Sequence, residues 1–161
     1  MFVKKITALF LMQFVTVVAF AQKLSVSDLT VNYKTNPIGI DAQDLHFSWK
    51  LNSQLKQTMQ NSYELRLATQ KESLSKNQNL TWESGKVDHE QSLHIAYAGS
   101  PLKSKQRYYW QVRVFDNSGK SSAWSEVGYW QTALLKPSDW KARWIVPAAE
   151  KDSILRPSPL F

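Results

Sequence analysis

The chain has 161 residues, with 20 Lys and Arg against 13 Asp and Glu, 43% apolar and 12% aromatic residues, and no cysteine. That length holds one ordinary domain, or one domain and part of another, and excludes a large barrel enzyme. An apolar content this high, with only 5 glycines and 6 prolines, excludes wholesale disorder and collagen-like structure, and the absence of cysteine excludes disulfides, thiolate metal sites and cysteine nucleophiles.

Lys4 and Lys5 precede an apolar stretch from Ile6 to Val18, and Ala19-Phe20-Ala21 offers the small-x-small pattern that signal peptidase reads. Residues 1–21 are therefore predicted to be a signal peptide cut before Gln22, so that the protein is exported to the periplasm or beyond the cell. The alternative, a retained anchor, suffers from length: an apolar run of about a dozen residues broken by Gln13 falls short of the ~20 that span a bilayer. Removal of Lys4 and Lys5 leaves 18 basic and 13 acidic side chains, a net of +5. The remaining cations are scattered, with Lys103, Lys105 and Arg107 as the one local cluster, at an expected strand edge or loop. Solvated lysines that keep strand edges from pairing explain this better than a basic face, so no nucleic-acid partner is expected, and no membrane after signal cleavage.

From residue 22 onward the dominant period is two. Val26, Leu29, Val31 and Tyr33 give a loose first strand with a break near Asp28. Leu45, Phe47, Trp49 and Leu51 alternate with polar residues, as do Tyr63, Leu65 and Leu67, and then Tyr108, Trp110, Val112 and Val114. Weaker strands are predicted at 81–87, 92–96 and 127–132. Asn36-Pro37-Ile38-Gly39, Ser84-Gly85 and Asp116-Asn117-Ser118-Gly119 read as strand-ending punctuation, the last as a hairpin turn because Asn, Asp and Gly accept positive φ. The best helical candidate is a single turn around Glu72-Ser73-Leu74.

Some seven short strands in ~110 residues predict an all-β, antiparallel sandwich of the immunoglobulin or fibronectin type III kind over residues 22–133. Without a cystine its core must be aromatic: Phe47, Trp49, Tyr63, Leu65, Tyr108, Trp110 and Val112 are the candidate core residues, with Trp49 expected to meet Tyr108 and Trp110 across the two sheets. Leu102 is the expected corner at which the Tyr108 hydroxyl bonds back to upstream backbone. Residues 134–161 read as a linker followed by the start of an incomplete second β domain, in which Trp140, Ala142, Trp144 and Ile145 alternate before a tail carrying Pro147, Pro157 and Pro159.

Candidate chemistry is sparse. Asp88 and Glu90, two apart on extended chain, would sit ~6.6 Å apart on one face, inside the ~6.5–9.5 Å window of an inverting glycosidase pair. Such pairs are common on exposed strands, and a thin sandwich rarely encloses the concave site that catalysis needs. His89 and His94 are candidate metal ligands, but extended chain places them on opposite faces some 16 Å apart, and His46 reads as a solvated imidazole. No nucleophile elbow, phosphate loop or zinc helix is present, so no catalytic residue, metal or cofactor is assigned. Seven tryptophans suggest stacking on sugar rings. Core positions account for Trp49 and Trp110, a sheet-edge role for Trp82, and a cation–π clamp with Arg113 for Trp124.

Asn36-Pro37-Ile38-Gly39-Ile40, Phe47-Ser48-Trp49-Lys50, Tyr63-Glu64-Leu65, Trp82-Glu83-Ser84-Gly85-Lys86-Val87 and Tyr108-Tyr109-Trp110-Gln111-Val112-Arg113-Val114, in this order, resemble the N-terminal module of bacterial α-L-rhamnosidases. Ser122-Ala123-Trp124-Ser125, Tyr129-Trp130-Gln131-Thr132 and Trp140-Lys141-Ala142-Arg143-Trp144-Ile145 resemble the close of that module and the entry to the next. The resemblance covers residues 24–145 and implies a fibronectin type III-like module upstream of further β-sandwich domains and a large (α/α)₆ barrel. In that family the barrel's carboxylates hydrolyse terminal α-L-rhamnosyl residues with inversion. Every matched position lies upstream of the barrel. The expectation is therefore a secreted, non-catalytic accessory module, cut off before the catalytic barrel and partnered by the downstream domains of the parent glycosidase. The rival expectations are an independent carbohydrate-binding or adhesion module, with rhamnose-containing glycans as ligand, and a small hydrolase built on Asp88 and Glu90.

Overall fold

Residues 24–143 are described in a computed structural model of the chain, so the predicted signal peptide and the residues beyond Arg143 lie outside the described part. The strands are β1 (Ser25–Val31), β2 (Ile38–Ile40), β3 (His46–Asn52), β4 (Gln60–Ala68), β5 (Trp82–Asp88), β6 (Ile95–Ala96), β7 (Arg107–Asp116) and β8 (Gly128–Thr132). One short helix, α1 (Lys71–Lys76), follows β4. A three-stranded sheet, β1-β3-β6, faces a five-stranded sheet, β2-β8-β7-β4-β5. The molecule is the mostly-β sandwich of immunoglobulin and fibronectin type III type that the alternation predicts.

Alternation is the cause of this architecture. Along β7 every second side chain, from Tyr108 to Asp116, is buried while the intervening ones are half-exposed, and β8 repeats the pattern with Gly128, Trp130 and Thr132 inward. The inward residues of the two sheets form one core, in which Phe47, Trp49, Tyr63, Leu65, Tyr108, Trp110 and Val112 are all at most 7% exposed. Removing each large apolar side chain from water contributes roughly 1.5–3 kcal/mol. The pairing within the core departs from expectation. Phe47, two residues before Trp49 on the same face, is the residue that meets Trp110, with ring centroids 4.6 Å apart. Trp49 packs edge-on against Tyr63 at 5.3 Å, and Tyr108 stacks on Trp130 at 5.4 Å.

Three other details correct the sequence reading. The Asn36–Gly39 segment is only partly a turn: Ile38–Ile40 form a short strand parallel to β8, so the five-stranded sheet is not purely antiparallel. Ser84-Gly85 does not end a strand; it lies inside β5, where the register slips against β4 and Gly85 takes φ 62°, as in a glycine β-bulge. Tyr33 leaves β1 altogether, in the left-handed conformation (φ 64°) and 69% exposed. At the corner before β7, the Lys103 backbone N–H donates to the Tyr108 hydroxyl at 2.9 Å, one residue beyond Leu102, which itself packs against the core.

After β7, the Asp116–Gly119 turn reverses the chain, with Gly119 at φ 80°. The returning segment stays bonded to β7 without forming a regular ladder. Ser122 and Ser125 each donate a backbone N–H to β7, to the carbonyls of Val114 and Val112 at 2.8 Å. Their hydroxyls accept from the N–H groups of the same two residues at 3.1 Å. Three residues of pitch between these serines match two on β7, so the intervening backbone bulges and carries Trp124 onto the outer face of the sheet.

Candidate functional site

On that outer face, the cross-strand neighbours Glu64 of β4 and Arg113 of β7 form an ion pair of 2.6 Å. Trp124 lies between two guanidinium groups, with Arg113 Cζ 4.8 Å and Arg66 Cζ 3.8 Å from its ring centroid. Arg113 also reaches toward the Phe115 ring at 5.6 Å, which Lys86 covers at 4.6 Å. Cations and rings thus alternate along the sheet as Lys86, Phe115, Arg113, Trp124 and Arg66. Each such contact contributes ~0.5–1 kcal/mol when exposed and more when dry.

Beside this row opens a cleft of about 270 Å³, walled by Glu64, Leu65, Arg66, Glu83, Arg113 and Trp124 among others. Arg66 is the arginine that the sequence does not single out. It is only 8% exposed, donates to Asn77 Oδ1 at 3.3 Å and to Gln111 Oε1 at 2.8 Å, and leaves its Nε without an acceptor. Burial first, and the Arg113 charge second, pull its pKa below the ordinary guanidinium value. Asn77, the left-handed C-cap of α1 (φ 51°), is held where it can accept from that guanidinium.

The other candidates disperse. Asp88 ends β5 opposite Ser62, while Glu90 lies beyond the strand, and both are exposed. His89 turns its Nδ1 to the Gln91 N–H at 3.0 Å. His94 leaves it for His46, whose ring meets it edge-on at 5.2 Å, and for the Tyr33 hydroxyl. Among the described residues no three His, Asp or Glu side chains gather in a way that could hold a metal ion, and no helix is long and apolar enough to cross a membrane. Of the tryptophans, Trp49, Trp110 and Trp130 are buried, Trp82 packs edge-on to Tyr97 at 5.1 Å, and Trp140 is 66% exposed. Trp144 lies outside the described residues.

Residues 26–136 match the family described as Rha78A-like, N-terminal immunoglobulin domain. The chain belongs to this family. It is 38% identical over 134 residues to an α-L-rhamnosidase of Streptomyces avermitilis, covering 81% of the chain and 13% of that protein. With an α-L-rhamnosidase of Formosa agariphila it shares 36% identity over 129 residues, covering 77% of the chain and 14% of the relative. Two solved structures agree. The S. avermitilis α-L-rhamnosidase complexed with L-rhamnose superposes with a TM-score of 0.73 at 39% identity, over 78% of this chain and 12% of that one. The α-L-rhamnosidase from Dictyoglumus thermophilum gives 0.72 at 33% identity, over 78% and 14%. The immunoglobulin domain described here therefore corresponds to about an eighth of proteins that are themselves much longer.

Proposed function

We propose that this immunoglobulin domain is a non-catalytic N-terminal accessory module of an exported α-L-rhamnosidase, in which hydrolysis of terminal α-L-rhamnosyl residues belongs to a C-terminal barrel. The observation that carries the reading is the place of the match: a family defined by the N-terminal domain, and relatives of which this region makes up only 13–14%. The module's task on this reading is mechanical, to pack beside the following domains and hold them in register.

The exit from the sandwich supports it. Asp139 accepts hydrogen bonds from the Ser104 hydroxyl and, at 3.2 Å, from the Lys136 N–H, tying the 137–139 turn to the loop before β7. The Ser104 bond, followed by the Lys136 N–H and nearby lysine charges, holds the Asp139 carboxyl below its ordinary pKa, so the clasp persists at neutral pH. Trp140, next along, stands out from the surface on this fixed base, as an anchor for a neighbouring domain would.

Exchanging this module for its counterpart in the S. avermitilis enzyme tests the reading. The chimera is expected to keep the enzyme's turnover and melting temperature, whereas deletion of the module lowers the melting temperature without changing substrate specificity. A chimera that acquires a new glycan preference would favour the carbohydrate-binding reading instead.

A further inference from the structure

We infer that the cleft beside Trp124 is a carboxylate-binding site, in which Arg66 receives the anion and Arg113 supports it. The inference is independent of the accessory role proposed above. It rests first on an imbalance: Arg66, a residue more than nine-tenths buried, stacks on Trp124 but hydrogen-bonds only to the neutral amides of Asn77 and Gln111, and its Nε has no acceptor. Buried charges are ordinarily paired, because an unpaired one loses its hydration without recompense. The nearby carboxylates do not supply the pairing. Glu64 is engaged with Arg113, and Glu83, the register partner of Arg66 on β5, makes no ion pair with it within 4.0 Å. The cleft itself is lined by two guanidiniums and two carboxylates, one carboxylate already taken by Arg113, and Lys86 adds a positive charge nearby on Phe115.

Size and shape narrow the ligand. At about 270 Å³ the hollow falls just below the ~300–1,000 Å³ of sites for drug-sized molecules, which suits one small acid or one side chain. Arg66 and Arg113 both stack on the indole, so Trp124 orients the guanidiniums and the carboxylate is the part of the ligand that is recognised. Two sources present that group: an acidic sugar ring, or an Asp or Glu side chain of an adjoining protein domain.

Titrating the purified chain with glucuronate, with glutamate blocked at both backbone ends, and with glucose separates these sources. The readout is the Arg66 Nε–H resonance. Saturable shifts with one or both acids and none with glucose are expected, the tighter acid naming the source. Arg66→Gln should weaken binding at least tenfold, Arg66→Lys should restore only part of it, and Glu83→Gln should tighten it by removing a competing charge. Two results would overturn the inference. One is a resonance that neither acid moves before glucose does. The other is a Glu83→Gln variant that is destabilised and binds neither acid, which would make Glu83 itself the partner of Arg66.

Discussion

The indole N–H of Trp49, in the three-stranded sheet, donates to the Oε1 of Gln60, in the five-stranded sheet, at 2.9 Å. Gln60 in turn donates through Nε2 to the carbonyls of His89 and Gln91, at 3.1 and 2.8 Å. One buried amide thus ties both layers and the loop after β5 together in a chain that has no cysteine to do so. Replacing it by leucine keeps the bulk but strands the Trp49 donor and two carbonyls. Gln60→Leu is expected to cost about 1–3 kcal/mol, read as a lower urea midpoint at unchanged slope.

Gly128 opens β8 directly opposite Trp110. A Cβ at this glycine would lie 2.6 Å from the Trp110 Nε1, inside any real contact distance. Gly128→Ala should therefore destabilise by ~1–3 kcal/mol through overpacking. Adding Trp110→Phe should recover part of that loss, so the double variant is expected to be more stable than the two single changes summed, as a double-mutant cycle would measure.

Tyr108→Phe removes the hydroxyl that accepts from the Lys103 N–H while leaving the ring stacked on Trp130. Its cost is expected at about 0.5–1.5 kcal/mol, with hydrogen exchange accelerated at Lys103 more than along the β7 ladder.

Acid should loosen the turn after β7. Asp116 is buried and accepts from the Ser118 hydroxyl at 2.7 Å and from the Ser118 and Lys120 N–H groups, each at 2.9 Å. The Ser118 side-chain bond above all, helped by those N–H groups and the Lys120 charge, depresses its pKa despite burial. A depressed carboxyl pKa stabilises the fold above the unfolded value and ceases to do so as pH falls through the folded one. Stability should therefore decline below about pH 5, and less steeply in Asp116→Asn, when unfolding is followed by fluorescence across an acid series.

What the sequence disclosed follows from where periodicity reports on packing. The strict alternation of Tyr108, Trp110, Val112 and Val114 announces a strand with one buried face, and that strand anchors the sheet. β2 was hidden because its three residues, Ile38–Ile40, contain an exposed isoleucine and a glycine and owe their extension to β8. Phe47 rather than Trp49 meets Trp110 because facing positions depend on how the layers are offset, which neither strand encodes alone. Arg66 gave no signal either. An outward arginine on an alternating strand reads as solvated, and only the Ser122 to Ser125 bulge, folding Trp124 over it, makes it buried.

Turnover by the purified chain alone, on an aryl α-L-rhamnoside, bears most directly on the claim that this module does not catalyse. Release of the aryl alcohol is expected to stay at the rate of buffer, with or without Asp88 and Glu90. Hydrolysis well above that rate, abolished by Asp88→Asn, would contradict the assignment and place an active site on the sandwich itself.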